Sequence, residues 1–468
     1  MDNKHNLDSK HNDPDTDHTQ DLGDNKNEEH PGDALLALAT YHADLKDFDT
    51  MIDYYLMAIE KGSSTAMYDL ALYYDDLWTK QPDSDKNTTN HDNMLKYYIL
   101  AANNGNVDAM CNLGLYYNGQ KDYTKAKKYY LMAIEYNDPS AMSAMGTFYE
   151  RQGEIDLMKK YYLMAIDLNY SRAMNKLACF YEDNHEYDEM KKYHLLAIEN
   201  GYCKSMFNLG YFYQKHSDDY TKMVKYYILA AQNEDGTAMY NLGRFFEKEK
   251  DYANMIKYYK MTIEYAMTHD ADEVKYDVAM NSLACYYEET KDFDTMLEYY
   301  LNAIEHGNRD AMYNLACYYK KQNDVVNMLK YYKLAAKYGD TDAMYRLGMY
   351  YEGVKEIDNM LKYYTIASDN GDTDAMNKLT AYYEGIKDDK NTQKYKTILE
   401  ETKKNELLET VESVLKDIKA DDLSEEEHSD EGDAESPLPE KTCASVPAEA
   451  TENDEDLIDR VRIIIKEK

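Results

Sequence analysis

Residues 311–342 read AMYNLACYYKKQNDVVNMLKYYKLAAKYGDTD. Ala311, Leu315, Ala316, Tyr318 and Tyr319 fall at helical spacing, and so do Met328, Leu329, Tyr332, Ala335 and Ala336. Apolar residues recurring three and four apart mark one buried face of a helix. A polar break at 320–324 and a turn at Gly339 separate the two runs, so the stretch predicts a helix, a short turn, a second helix and another turn. The same order of residues starts again at Ala34, Ala66, Ala109, Ala141, Ala173, Ser205, Ala238, Ala279, Ala311, Ala343 and Ala375. Seven of these ten steps are 32 residues and one is 33; the two longer ones carry insertions at 75–92 and 266–278. A single hairpin cannot bury both of its faces, whereas stacked neighbours can. The expected fold is therefore all-α, a solenoid of about eleven helical hairpins over residues 32–400.

The composition fits a core of unusual make-up. Fifty-one Tyr and 27 Met stand against one Trp and eight Phe, so Tyr, Leu, Met and Ala must fill the interior. The formal charge of −36 argues against nucleic acid and anionic membranes as partners, because both need clustered Lys and Arg to neutralise phosphate. A basic protein partner fits better. The N-terminal MDNKHNLDSKHNDPDTD has no apolar core, and no run approaches the length of a membrane span. No signal peptide and no membrane span are expected, and the expected location is the cytoplasm. Cys179, Cys285 and Cys317 occupy one position in three repeats. Neighbouring helices pack roughly 8–10 Å apart, beyond disulfide reach, so these three read as reduced packing residues.

Asp33, Thr65, Asp108, Ser140, Thr237, Asp310, Asp342 and Asp374 stand just before the anchors and are expected to cap the first helices or place negative charge at their N-termini. Gly105, Gly201, Gly307, Gly339 and Gly371 supply the freedom a helix C-terminus needs between hairpins. Small residues such as Gly114, Gly146, Gly210, Gly243 and Gly348 let the second helix cross the first closely.

These residues resemble the tetratricopeptide repeat and the Sel1-like repeat, two related helical-hairpin families. Leu315, Ala316, Tyr319, Tyr332 and Ala335 keep the tetratricopeptide spacing, while Ala335-Ala336-x-x-Gly339-x-x-x-Ala343 is similar to the Sel1 linking element. Both families favour a small residue early in the second helix, where this chain has Ala126 once and otherwise Met158, Met190, Met255, Met296, Met328 and Met360. The Tyr-rich composition also resembles arrays found in giant viruses of amoebae, which would place the protein in the host cytoplasm. The resemblance implies a right-handed superhelix and an adaptor role; nothing in the sequence resembles a nucleotide loop, a nucleophile elbow or a metal motif, so no cofactor and no enzymatic activity are expected. Sel1-type proteins that act on β-lactams carry paired cysteines within repeats, and no unit here has such a pair.

In tetratricopeptide superhelices the residue before the Leu-Gly/Ala step lines the concave face. The resemblance implies that place for Asn112, Asn208, Asn241 and Asn314, with Ser282 between them, and for Lys176, Arg346 and Lys378. An amide offers donor and acceptor to the backbone of an extended peptide; the same residues equally read as a solvated polar face. A second stripe, Glu150, Glu182, Glu247, Glu288, Glu352 and Glu384, favours a ligand bearing Lys or Arg if it rims the same groove, and otherwise serves solubility. Trp78 falls in the first insertion, which reads as an exposed loop.

Residues 1–31 and 421–454 are polar, charged and poor in apolar side chains, so they are expected to be disordered. Residues 401–420 are expected to form a capping helix and 455–468 a short amphipathic helix with Leu457, Ile458, Val461, Ile464 and Ile465 on one side. The leading function is a scaffold that binds a protein partner; the competing reading is a structural protein that assembles with itself.

Overall fold

The computed structural model describes residues 31–422 except 81–86, 218, 270 and 272. The tails and the C-terminal amphipathic stretch singled out above lie outside the described residues, apart from Pro31, Asp421 and Asp422, which are helical. Among the described residues there are twenty-two helices and no strand, paired as eleven consecutive hairpins. They divide into two compact units, one ending at Ala165 with hairpins one to four, the other beginning at Ile166 with hairpins five to eleven. Each unit has its own core.

The second helix lies against the first through aromatic stacking. In hairpins two to eleven a residue near the end of the first helix stacks on the first Tyr of the Tyr-Tyr pair, or on Tyr193 and Tyr395 where the second member is His194 or Lys396. Tyr117 and Tyr129, Tyr287 and Tyr299, and Tyr351 and Tyr363 are examples, with ring centroids 5.6–5.7 Å apart and planes within 5° of parallel. Stacked pairs of this kind add about 0.5–1.5 kcal/mol to the area they bury. The second Tyr of the pair turns inward and sits on the small residue of the Leu-Gly/Ala step. A Cβ added at Gly146 would lie 2.5 Å from the Tyr162 ring, and one at Gly348 would lie 2.5 Å from Tyr364. The Met at the start of the second helix is buried throughout, from Met51 to Met360.

The capping differs from the sequence expectation. The side chain that caps the first helix is not the residue before the anchor but the one three before it. Asn106, Asp138, Asp235, Asn308, Asp340 and Asp372 accept the anchor's own N–H at 2.6–2.8 Å. Geometry decides this, since a cap reaches the amides two or three residues ahead of it. Asp108, Asp310, Asp342 and Asp374 lie inside the first turn, where they favour the helix through its dipole.

The turns between hairpins use Gly at φ 81–91°, for example Gly105, Gly201, Gly307, Gly339 and Gly371. The turns within hairpins reach the same left-handed region with side chains: Lys46, Lys121, Lys250, Lys291, Lys355 and Lys387 have φ of 58–66°. A non-Gly residue costs roughly 1 kcal/mol there. Lys121→Gly is therefore expected to raise stability by about 0.5–1 kcal/mol, read as a higher denaturant midpoint at unchanged slope. A lower midpoint would mean that the Lys side chain compensates the strain.

Both insertions are absorbed mainly by helix. The first lengthens the helices of hairpin two to Ser64–Lys80 and Asn87–Asn103, with 81–86 outside the described residues. Trp78 is thus helical and half-buried against His91, ring centroids 5.0 Å apart, rather than on an exposed loop. The second extends Tyr252–His269. The residues expected as a separate capping helix continue the last helix, Asp389–Asp422, without a break at 400.

Candidate functional site

In six hairpins the buried Tyr of the pair links the positions of the two stripes read from the sequence. Its hydroxyl donates to the side chain ten places into the first helix, counting the anchor as the first. The pairs are Tyr98 to Asp75 at 2.9 Å, Tyr162 to Glu150 at 2.6 Å, Tyr227 to Gln214 at 2.5 Å, Tyr259 to Glu247 at 2.6 Å, Tyr300 to Glu288 at 3.2 Å and Tyr364 to Glu352 at 2.7 Å. The same oxygen accepts from the next hairpin: Asn112 Nδ2 reaches Tyr98 Oη at 3.4 Å, and Asn241 Nδ2 reaches Tyr227 Oη at 3.3 Å. Burial first, then the neighbouring carboxylate, pushes the hydroxyls of Tyr98, Tyr259 and Tyr364 above the usual phenol range. They stay neutral donors.

The remaining residues of the first stripe also reach back one hairpin. Asn208 and Asn314 donate to Asn175 Oδ1 and Asn281 Oδ1 at 3.0 and 3.1 Å, Arg346 Nε to Tyr313 Oη at 3.3 Å, and Lys378 Nζ to Glu352 Oε2 at 2.9 Å. Ser282 and Lys176 are half-buried on the same side of their helices. Of the acidic stripe, Glu288, Glu352 and Glu384 carry lysine partners, Lys321 at 2.7 Å, Lys378 at 2.9 Å and Lys396 at 2.6 Å. The Tyr364 hydroxyl, and after it Lys378, draws the Glu352 carboxyl below its ordinary range. Glu182 differs, because its hairpin has His194 where those of Glu150, Glu247, Glu288 and Glu352 have Tyr; burial, with Asp183 beside it, raises its carboxyl. Five of the six glutamates thus have a partner inside the protein, and the stripe is a row of acceptors as much as an acidic rim.

Two adjoining recesses open on this face in the second unit. One, of about 350 Å³, is lined by Cys285, Glu288, Glu289, Tyr300, Asn314, Cys317 and Lys321. The other, of about 370 Å³, is lined by Tyr313, Cys317, Lys320, Lys321, Tyr332 and Arg346. Cys285 and Cys317 are free thiols set against the Tyr300 and Tyr332 hydroxyls at 3.4 and 3.3 Å. Of these residues Asn314, Arg346 and Glu288 were singled out in the sequence, and Tyr313, Lys320 and Lys321 were not. The signal for Lys320 was present as a gap in the glutamate stripe. Among the described residues no three His, Cys, Asp or Glu side chains converge as a metal site requires, and no helix is long and apolar enough to cross a membrane.

Eleven consecutive helical hairpins, most of them sharing a cap, a stacked aromatic pair and a buried Tyr, make a helical-repeat fold of the tetratricopeptide-like, Sel1-like kind. Residues 107–138 and 236–264, the third and seventh hairpins, match the model of the tetratricopeptide repeat. Among solved structures the chain is similar to a protective antigen of uropathogenic Escherichia coli displaying an SLR fold, with 18% identity over 86% of this chain and 97% of that one and a TM-score of 0.45. It is also similar to a Sel1 repeat protein from Oxalobacter formigenes, with 19% identity over 70% of this chain and 94% of that one and a TM-score of 0.42. No curated protein matches the chain.

Proposed function

We propose that the protein is a non-enzymatic scaffold, working in the cytoplasm, that binds an extended segment of a protein partner across the face formed by its first helices. The observation that carries this reading is the row of half-buried amides and charged groups at one position of successive hairpins of the second unit, where Asn314 and Arg346 line the two recesses. The net charge of −36 favours a partner that is basic overall, since long-range attraction raises the encounter rate and falls with salt.

The test is binding of fluorescent lysine-containing peptides to the intact chain at low and moderate salt. Changing Asn208, Asn241 and Asn314 together to Ala is expected to weaken binding about tenfold or more. Helical circular dichroism at room temperature should stay unchanged, although each amide also ties two hairpins and the melting temperature should fall. Unaltered binding would remove the amide row from the site.

One observation favours self-assembly as a second reading. In the first unit Leu56, Leu131 and Leu163 stand at one position of three second helices, 37–41% exposed. Sedimentation that rises with concentration and is abolished by changing these leucines to Gln would support assembly over the scaffold.

A further inference from the structure

The acceptor place ten residues into the first helix is broken once in the second unit by a cation. Hairpin nine has Lys320 there, which cannot accept from Tyr332, and the Tyr332 hydroxyl turns to Cys317 instead. Lys320 is left exposed and without the structural duty its counterparts have. Across the recess Arg346 is half-buried, and only its Nε is engaged, by the Tyr313 hydroxyl. Lys321 completes the rim, already paired with Glu288 of the preceding hairpin. The lining holds three cations, two tyrosines and a thiol, and no carboxylate. That composition is the reverse of the chain as a whole, which has 89 acidic against 53 basic residues.

We propose that this recess reads one carboxylate side chain of the bound segment and so fixes the segment's register along the array. The inference rests on the reading that an extended segment lies on this face. A guanidinium held by one nitrogen still offers a planar fork, and that fork matches a carboxylate in two parallel hydrogen bonds. Partial burial of Arg346 strengthens such a contact over one at the open surface, where ion pairs contribute little. Lys320 closes the other side as a movable point charge. The partner is then basic along most of its length, in keeping with the net charge of the scaffold, with an acidic residue at one defined place.

The experiment uses the intact chain and two lysine-rich peptides that differ only in a central Glu or Gln. Binding is followed by fluorescence anisotropy, and occupancy of the recess by the rate at which Lys320 is acetylated, read by mass spectrometry. The Glu peptide is expected to bind about fivefold tighter and to protect Lys320, and Arg346→Gln should abolish both preferences. Lys337→Gln, an exposed lysine in the last turn of the second helix of hairpin nine, should leave them intact. Equal affinity and protection for the two peptides, or a preference that survives Arg346→Gln, would overturn the proposal. Should neither peptide bind, the extended-segment reading fails on its own account. The recess is then judged with inorganic phosphate at constant ionic strength: protection of Lys320 lost in Arg346→Gln sustains an anion site, and equal acetylation with and without phosphate refutes it.

Discussion

Tyr259→Ala is expected to destabilise the second unit by about 3–5 kcal/mol, the range for deleting a fully buried aromatic ring. The ring is 1% exposed, lies directly on Gly243 and packs beside Tyr240 at a centroid distance of 6.1 Å. Alanine would leave a cavity that the adjoining helices, held by their own stacked pairs, cannot close. Tyr259→Phe keeps the ring and removes only the hydroxyl bonded to Glu247 at 2.6 Å, so its cost should be near 1 kcal/mol. Stability in a repeat array is a sum of local and nearest-neighbour contributions. Amide hydrogen exchange resolved by hairpin is therefore the right measurement alongside denaturant unfolding. Protection should fall most in hairpins seven and eight; a uniform small loss, or equal effects of Ala and Phe, would contradict the central place given to the buried ring.

The second large effect depends on pH. His194 is fully buried where other hairpins place Tyr, and burial lowers its pKa from the ordinary 6.5 to about 4. Its surroundings account for the direction. Ser205 donates to Asn175 Oδ1 at 2.9 Å, so its oxygen is left to accept from Nδ1 at 3.2 Å, and the proton of the neutral ring sits on Nδ1. Nε2 is buried with no hydrogen-bond partner. A second proton would have to go there, with no acceptor and little solvent.

Because the folded pKa lies below the unfolded one, the unfolded chain takes up this proton first. The contribution is fully present above about pH 6.5 and is lost as the pH falls towards 4, by about 3 kcal/mol in all. His194→Tyr supplies the comparison: Ala178 and Cys179 beneath it match the Ala284 and Cys285 that accept Tyr300 in hairpin eight. The stability gap between variant and parent in urea should widen by about 3 kcal/mol over that pH interval. Parallel pH profiles would dismiss the buried imidazole as its cause.

The helices were legible because the apolar residues of the 32-residue unit keep helical spacing even where Met replaces Ala. The caps were misplaced by two residues, although the pattern of Asn or Asp three before the anchor stands in the sequence at Asn106, Asp138, Asp235, Asn308, Asp340 and Asp372. Adjacency to the helix suggested a cap, while the reach of a side chain to an amide decides one. Hairpin two read as containing a loop because the polar stretch after Lys80 masks two helices that lengthen together. Their joint packing of Trp78 against His91, and against Tyr116 of the next hairpin, is invisible to local periodicity. The two polar stripes were read from the sequence, but not the Tyr hydroxyl that joins their positions. That contact depends on how the second helix crosses the first, which spacing along one helix does not encode. Lys320 was passed over for a related reason: only when its position is known to be an acceptor does a lysine there become an exception.

The shared Tyr hydroxyl also bears on how such a chain can lengthen. Within each unit most hairpins bring a cap, a stacked pair and one acceptor, and several ask of their successor a small polar side chain, such as Asn112, Asn241 or Ser282, to meet that hydroxyl. A duplicated hairpin inserted between two existing ones presents each with the chemistry it already met. Gene segments of one period can thus be gained or lost while the seams remain chemically alike. The odd members, His194 with Ser205 and Lys320 with Arg346, are the places where a copy has become individual and can no longer be exchanged for its neighbours.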